Sequence, residues 1–168
     1  MPLLQIVKGR KTARGTIAAM TTKPFSPSDP NFEARTRASG GMQGILSTLG
    51  AELGLVRAGE VHLTAPYDAR FSQQDGFLHA GAVTTLMDSA CGYAAYTLMP
   101  ADSRVLSVEF TDNVLAPARG RRFRAEGRVV KAGRTLTVCE GKLFSLEEEE
   151  TLCAIMQATM ICIREKHD

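Results

Sequence analysis

An α+β fold, with a curved antiparallel sheet wrapped around one long buried helix, is predicted by three observations. Apolar residues cover most of the circumference of a helical segment at about 79–98, the mark of a helix enclosed by the rest of its domain. Runs with the two-residue period of strands lie on both sides of it. The order is helix, two strands, buried helix, then four antiparallel strands. A sheet curved around the buried helix covers every apolar face at once.

Each element follows from local chemistry. "SPSDP" at 26–30 supplies turn and cap residues, and Met42, Ile45, Leu46, Leu49 and Leu53 then recur at helical spacing, predicting a helix over about 31–51. Gly50 and Gly54 mark its end. "LGLVRAGEVHLTAPY" reads as two strands around a Gly59-Glu60 turn, with Val61, Leu63 and Ala65 on one face. In the long helix, Ala82, Val83, Leu86, Met87, Ala90, Cys91, Ala94, Ala95 and Leu98 form the apolar surface. After Pro100, "RVLSVEFTDNVLAP" alternates Leu106, Val108 and Phe110 against Ser107, Glu109 and Thr111. A hairpin turning at Ala132-Gly133 follows. The last strand, "TLCAIMQATMICI", is too apolar on both faces to leave one in solvent. This architecture is the hotdog fold.

The 168 residues predict one domain, and 44% hydrophobic with 23% charged residues is ordinary globular composition. A net charge of +2 argues against a dedicated nucleic-acid binder. Cys91, Cys139, Cys153 and Cys162 show no zinc-type spacing and read as reduced residues of an intracellular, cytoplasmic protein. No apolar run reaches the ~20 residues of a membrane span. Residues 1–28 form a basic extension ahead of a domain at 29–168: they hold Lys8, Arg10, Lys11, Arg14 and Lys23, and Asp29 is the first acid. Such a segment is a flexible solvated tail, an upstream start with Met20 as the alternative, or an organelle-targeting segment.

Several motifs together, "QQDGFLHAG", Asp88 nine positions after His79, "SVEF", "NVLAPARG" and "AGRTLTV", resemble the PaaI-like (phenylacetate-degradation type) acyl-CoA thioesterases. The likeness runs from about 32 to 163. It departs from the family in His79-Ala80-Gly81, where histidine-glycine-glycine is usual, and in Gln73, where relatives often carry asparagine. The resemblance implies hydrolysis of an acyl-CoA without metal or other cofactor. It also implies a homodimer, or a dimer of dimers; the charge and the lack of a long apolar run predict no nucleic-acid or membrane partner.

Thioester hydrolysis needs a polarised carbonyl, an attacking oxygen and stabilisation of an oxyanion. The start of the buried helix offers unpaired N–H groups at the positive end of its dipole, with Ala80 and Gly81 as candidates. Asp88 is either a general base on water or a nucleophile. Nine residues of helix put Asp88 about 13.5 Å along and about 180° around from His79, so it cannot serve its own helix N-terminus. Two such helices, antiparallel about a twofold axis, would bring each Asp88 to the partner's N-terminus. The resemblance implies that composite site, with Ser107 orienting water and Gln73 near the thioester carbonyl. His79, Thr84, Arg119 and Arg134 are the substrate-binding candidates, His79 equally readable as a residue that shapes its loop. Arg119, Arg121, Arg122, Arg124 and Arg134 either meet coenzyme A phosphates or form a solvated basic face. A hydratase or dehydratase of acyl thioesters and a non-catalytic acyl-binding module are the alternative functions, and fold alone decides among none of them.

Overall fold

The computed structural model describes residues 24–164. In chain order these form α1 (Phe32–Met42), α2 (Gly44–Thr48), β1 (Glu52–Arg57), β2 (Glu60–Pro66), a short 3-10 turn at Ala69–Phe71, α3 (Ala80–Tyr96), β3 (Ser103–Val114), β4 (Arg122–Ala132), β5 (Leu136–Leu146) and β6 (Glu150–Arg164). The sheet has the order β1-β2-β4-β5-β6-β3, every neighbouring pair antiparallel. It is an open curved sheet with α3 against its inner face, the hotdog architecture the element order predicts.

Two register-paired glycines set how closely α3 can approach. Gly127 on β4 lies opposite Gly141 on β5. A Cβ on Gly127 would stand 2.2 Å from the Ala90 carbonyl carbon, and one on Gly141 would stand 3.0 Å from Cys91 Sγ. Small residues on the helix complete the fit: Ala90, Cys91, Ala94 and Ala95 have no exposed surface. Val61, Leu63, Phe123, Leu143, Ala158 and Met160 close the core from the sheet side.

The C-terminal end of α3 is fixed by Arg35 of α1. Its guanidinium donates to Pro100 O (2.9 Å), Met99 O (2.7 Å) and Tyr96 O (3.2 Å), and it lies 4.1 Å above the Tyr96 ring. Its Nε is 2.9 Å from the Asp29 carboxylate. A cation among the last carbonyls of a helix complements the dipole as well as satisfying the orphan acceptors.

Several local expectations change. The helix expected over 31–51 is two helices, broken at Gln43, whose backbone is extended (φ −79°, ψ 106°). Gly40, Gly41 and Gly44 weaken the helix there, and Gly40 lets α1 press on Leu53, whose Cδ1 a Cβ would meet at 2.0 Å. The alternation expected in β3 does not persist. A bulge between Ser107 and Glu109 shifts the register against β6, so Leu106 pairs with Ile161 while Phe110 pairs with buried Ala158, placing them on opposite faces. The outer face of β6 is open in the single chain, Ile155 being 36% and Ile163 40% exposed.

The basic segment, through residue 23, lies outside the described residues. Phe25 already packs against the core over Gly59, and Ser28 Oγ donates to Leu98 O at 3.0 Å, so the packed chain starts ahead of residue 29. None of the helices among the described residues is long and apolar enough to cross a membrane. All four cysteines are free thiols; Cys91, Cys139 and Cys153 are buried and Cys162 is half-buried.

Gly127→Ala is expected to destabilise the fold by at least the about 1–3 kcal/mol of an overpacked core, because the added methyl meets helix backbone that cannot rotate away. Chemical denaturation checks this, and an unchanged midpoint would show that α3 can lift off the sheet at little cost. Burial pushes the Cys139 thiol up to about 12 and raises that of Cys91 further. The unfolded chain releases these protons from about pH 9, so their stabilisation is complete below that pH and is lost as pH rises towards the folded values. Thermal melts should therefore show Tm falling above about pH 9, less steeply in a Cys91→Ala/Cys139→Ala double variant.

Candidate active site

The loop entering α3 is held by its own backbone. Gln73 N–H donates to Phe77 O (2.9 Å), Leu78 N–H to Ala118 O (3.0 Å) and His79 N–H to Phe71 O (2.8 Å), with Gly76 turning the chain at φ +81°. His79 is the N-cap of α3: its backbone is extended, and Nδ1 accepts from Gly81 N–H at 2.9 Å. With Nδ1 accepting, the ring proton of the neutral imidazole sits on Nε2. The Ala82 and Val83 amides donate to His79 O (2.9 and 3.1 Å). Of the two amides expected to face an oxyanion, Gly81's is thus taken up by the cap. Ala80's, at the exposed first helical position, meets no acceptor among the described residues.

Ala80 and Gln73 line one cavity, of about 440 Å³, with Phe77, Leu78, Val83 and Leu115 as apolar walls. The Gln73 amide is folded onto its own loop. Its Oε1 accepts from Asp75 N–H, and its Nε2 donates to the Asp75 carboxylate at 3.2 Å. Arg119 stacks 4.9 Å above the Phe77 ring at this cavity.

Asp88 stands elsewhere. It is half-buried on α3 and accepts from Ser107 Oγ at 2.7 Å. One turn earlier, Thr84 Oγ1 donates to the Asp112 carboxylate. These two polar rungs join α3 to β3. Ser107 and Asp112 are five residues apart, which in a regular strand puts them on opposite faces; the bulge at Val108 brings both to the helix side. Asp88 and Ser107 line a second cavity, of about 370 Å³, with Ser39, Met42, Gln43, Gly92, Tyr93 and Val105. Burial raises the Tyr93 phenol above its ordinary value, partly offset by a hydrogen bond with Ser39.

Asp88 with Ser107, and Gln73 with Ala80, are therefore two pairs in two cavities that share no wall residue. Among the basic candidates, Arg124 is occupied by Glu126 and Glu150, each at 2.8 Å, and sits 5.0 Å over Phe144. Arg121 and Arg122 are exposed. Arg134 lies in the β4–β5 turn and lines a cavity with Leu98 and Met99, at the opposite end of β4 from Arg119. Sequence reasoning missed Asp112 and Gln43. Nothing local marks Asp112 without the bulge, whereas the glycines around Gln43 were a legible sign of a helix break.

The sequence profile of the thioesterase superfamily matches residues 75–152. A thioesterase family protein of known structure from Silicibacter pomeroyi is 44% identical; the alignment covers 80% of this chain and 99% of that one, with a TM-score of 0.79. The 1,4-dihydroxy-2-naphthoyl-CoA hydrolase of Escherichia coli is 29% identical over 96 residues, 57% of this chain and 69% of that protein. The structure of E. coli PaaI, from the phenylacetic acid degradation operon, shares the fold at a TM-score of 0.72 with 16% identity, over 79% of this chain and 94% of that one. The chain belongs to the thioesterase superfamily, as a hotdog-fold member of its hydrolases.

If Asp88 activates the attacking oxygen and Ser107 only orients it, Ser107→Ala is expected to lower kcat for thioester hydrolysis by less than Asp88→Asn does. Steady-state kinetics on folded variants check the order. Equal loss in both would give Ser107 a direct part in the chemistry.

Proposed function

We propose that this protein hydrolyses acyl-CoA thioesters at a site shared between two copies of the chain. The observation that carries the reading is the separation of a ready carboxylate from a ready amide: Asp88 with Ser107 in one cavity, Ala80 N–H with Gln73 in another. Neither pair alone suffices for acyl transfer, and a twofold partner supplies what each lacks.

The surface around Asp88 supports such a partner. Gly81, Thr85, Asp88 and Gly92 follow one another at helical spacing along a side of α3 that is less buried than the rest, and a Cβ on Gly92 would meet nothing within 4 Å. Alongside runs β3, an edge strand of 12 residues with Leu106, Val108, Phe110 and Val114 each more than 40% exposed. A long apolar edge invites pairing with another strand. On the outer face, Leu106, Ile161 and Leu136 are register partners across β3, β6 and β5, an apolar row suited to joining two dimers.

In this reading the thioester carbonyl oxygen points at Ala80 N–H, and the charge it gains is met by that donor at the positive end of α3. Ser107 holds Asp88 Oδ1 and leaves Oδ2 for the chemistry. As a base, Oδ2 takes a proton from water while the water oxygen bonds the carbonyl carbon. The C–S bond then breaks, and the proton passes to the departing CoA sulfur. As a nucleophile, the same oxygen bonds the carbonyl carbon and expels CoA thiolate, leaving an anhydride; water then opens it to the free acid and the regenerated carboxylate, and a proton of that water passes to the thiolate. The E. coli relative named for a CoA ester supports CoA as the thiol. Arg119, with its stacked Phe77, is suited to the CoA phosphates, and Arg134 of the other copy is the second candidate.

Asp88→Asn and Ala80→Pro should each reduce turnover of acyl-CoA by about two orders of magnitude or more. Proline is a favourable first helical residue and removes only the N–H, and His79, with ψ 142°, already has the extended backbone that precedes proline. Mixing the two inactive proteins 1:1 and allowing exchange makes half the dimers mixed, each with one site free of both lesions. About a quarter of wild-type activity should return. Confirmed exchange by native mass spectrometry without recovery would place the whole site within one chain.

A further inference from the structure

We propose that the cavity between the β4–β5 turn and the end of α3 is a binding site for a single phosphate group, held by Arg134, Arg164 and Thr137. The inference stands on this cavity and does not need the thioesterase reading.

Strand pairing brings the three residues together. Thr137 is the register partner of Met160 across β5 and β6, and both are buried. Cys162 and Arg164 follow Met160 at two-residue spacing, which puts them on the same side of the sheet. Cys162 N–H donates to Thr135 O at 2.8 Å, so the end of β6 runs alongside the turn that holds Arg134. Helix α3 stops at Tyr96, and the chain leaving it through Leu98 and Pro100 forms the facing wall. The enclosed space is about 190 Å³.

Its charge is one-sided. Arg35, Arg37, Arg70, Arg124 and Arg128 each lie 2.6–3.0 Å from a carboxylate. Arg134 and Arg164 have no such partner among the described residues, and no acidic side chain lines the cavity. The end of α3 does not need them. Arg35 already donates to Tyr96 O, Met99 O and Pro100 O, and Ser28 Oγ to Leu98 O. The Arg35 charge is in turn balanced by Asp29. Two guanidiniums therefore border one small space without a counter-charge.

Thr137 narrows the chemistry. It is 3% exposed, and its hydroxyl makes no hydrogen bond with a described residue. Buried hydroxyls in native proteins almost always have partners. A hydroxyl and two guanidiniums can all donate to an anion whose oxygens only accept, and guanidinium forks match phosphate oxygens in pairs. The space is smaller than the roughly 300 Å³ at which drug-sized ligand sites begin. It takes a phosphate group and leaves the rest of the molecule that carries it outside. That molecule is either a free phosphorylated metabolite or CoA, whose 3′-phosphate would reach over from the site of a second copy. The pocket chemistry is the same for both.

Titration calorimetry of the full chain with inorganic phosphate, at constant ionic strength, tests the site. Wild type should take up one phosphate per chain. Arg134→Gln/Arg164→Gln should bind at least about tenfold weaker, the scale of one lost charge-assisted hydrogen bond. Thr137→Val, which removes only the hydroxyl, should bind about threefold weaker or worse. Arg121→Gln/Arg122→Gln removes the same charge from another exposed stretch and should leave binding unchanged. Should the double variant fail to fold, Arg134→Gln alone and Thr137→Val decide. The source is read from KM for one acyl group on CoA and on dephospho-CoA, which lacks the 3′-phosphate. Equal KM values beside saturable phosphate binding assign a free metabolite. A higher KM for the dephospho form, with the difference erased in Arg134→Gln/Arg164→Gln, assigns CoA itself. Neither phosphate binding nor an arginine-dependent KM difference overturns the proposal. So does binding that survives loss of both arginines, or that falls equally in the Arg121/Arg122 variant. If neither thioester is turned over, the thioesterase reading fails, and the phosphate titration still decides the site.

Discussion

The contact between α3 and the glycine pair Gly127/Gly141 is the constraint on which the rest of the structure depends. Without side chains at these two register partners, the helix backbone settles directly on the strands, where a Cβ at Gly127 would be 2.2 Å from Ala90. The sheet can then curve around the helix, and both edges of the helix come within reach of the strands beside it. Side chains at this crossing would hold α3 off the sheet. The rungs Thr84–Asp112 and Asp88–Ser107 depend on that seating, because short polar side chains bridge only a small gap.

Those rungs show how an acid is tolerated in an apolar helix. Asp88 faces the edge strand β3, where the chain's own core ends, and a serine hydroxyl holds one of its oxygens. Burying the carboxylate fully without such a partner would carry a large desolvation cost. Half-burial with one bonded oxygen gives the group a fixed direction. At the other end of α3, His79 spends its Nδ1 on the Gly81 amide, which leaves Ala80 as the unbonded N–H. A cap and a donor are thus assigned to adjacent amides of one turn. Alanine where the family usually has glycine keeps the backbone N–H that the proposed reading uses.

The helix pair α1–α2 has a part beyond covering the core. Arg35 binds it to the last carbonyls of α3, and the break at Gln43 brings a polar side chain to the cavity beside Asp88. One end of the layer is therefore anchored, while the other shapes the space next to the carboxylate.

The order of elements, the buried helix and its limits, and the candidates Asp88, Ala80, Ser107 and Gln73 were legible in the sequence. Apolar periodicity is a local property, and an acid within an apolar helix stands out against it. The same periodicity misled where geometry departs from regular repeats. The bulge at Val108 reversed the faces of β3, and the break at Gln43 split a helix that spacing alone made continuous. Sequence also fixed the distance between Asp88 and the start of its helix, because α-helical rise is the same in every context. Only tertiary structure decided that Ser107 and Asp112 share a face, that Gly81's amide is occupied while Ala80's is not, and that Gln43 borders the cavity of Asp88. These are relations between segments far apart in the chain. They arise from register, close approach and competition for hydrogen bonds, which exist only once the sheet has closed over the helix.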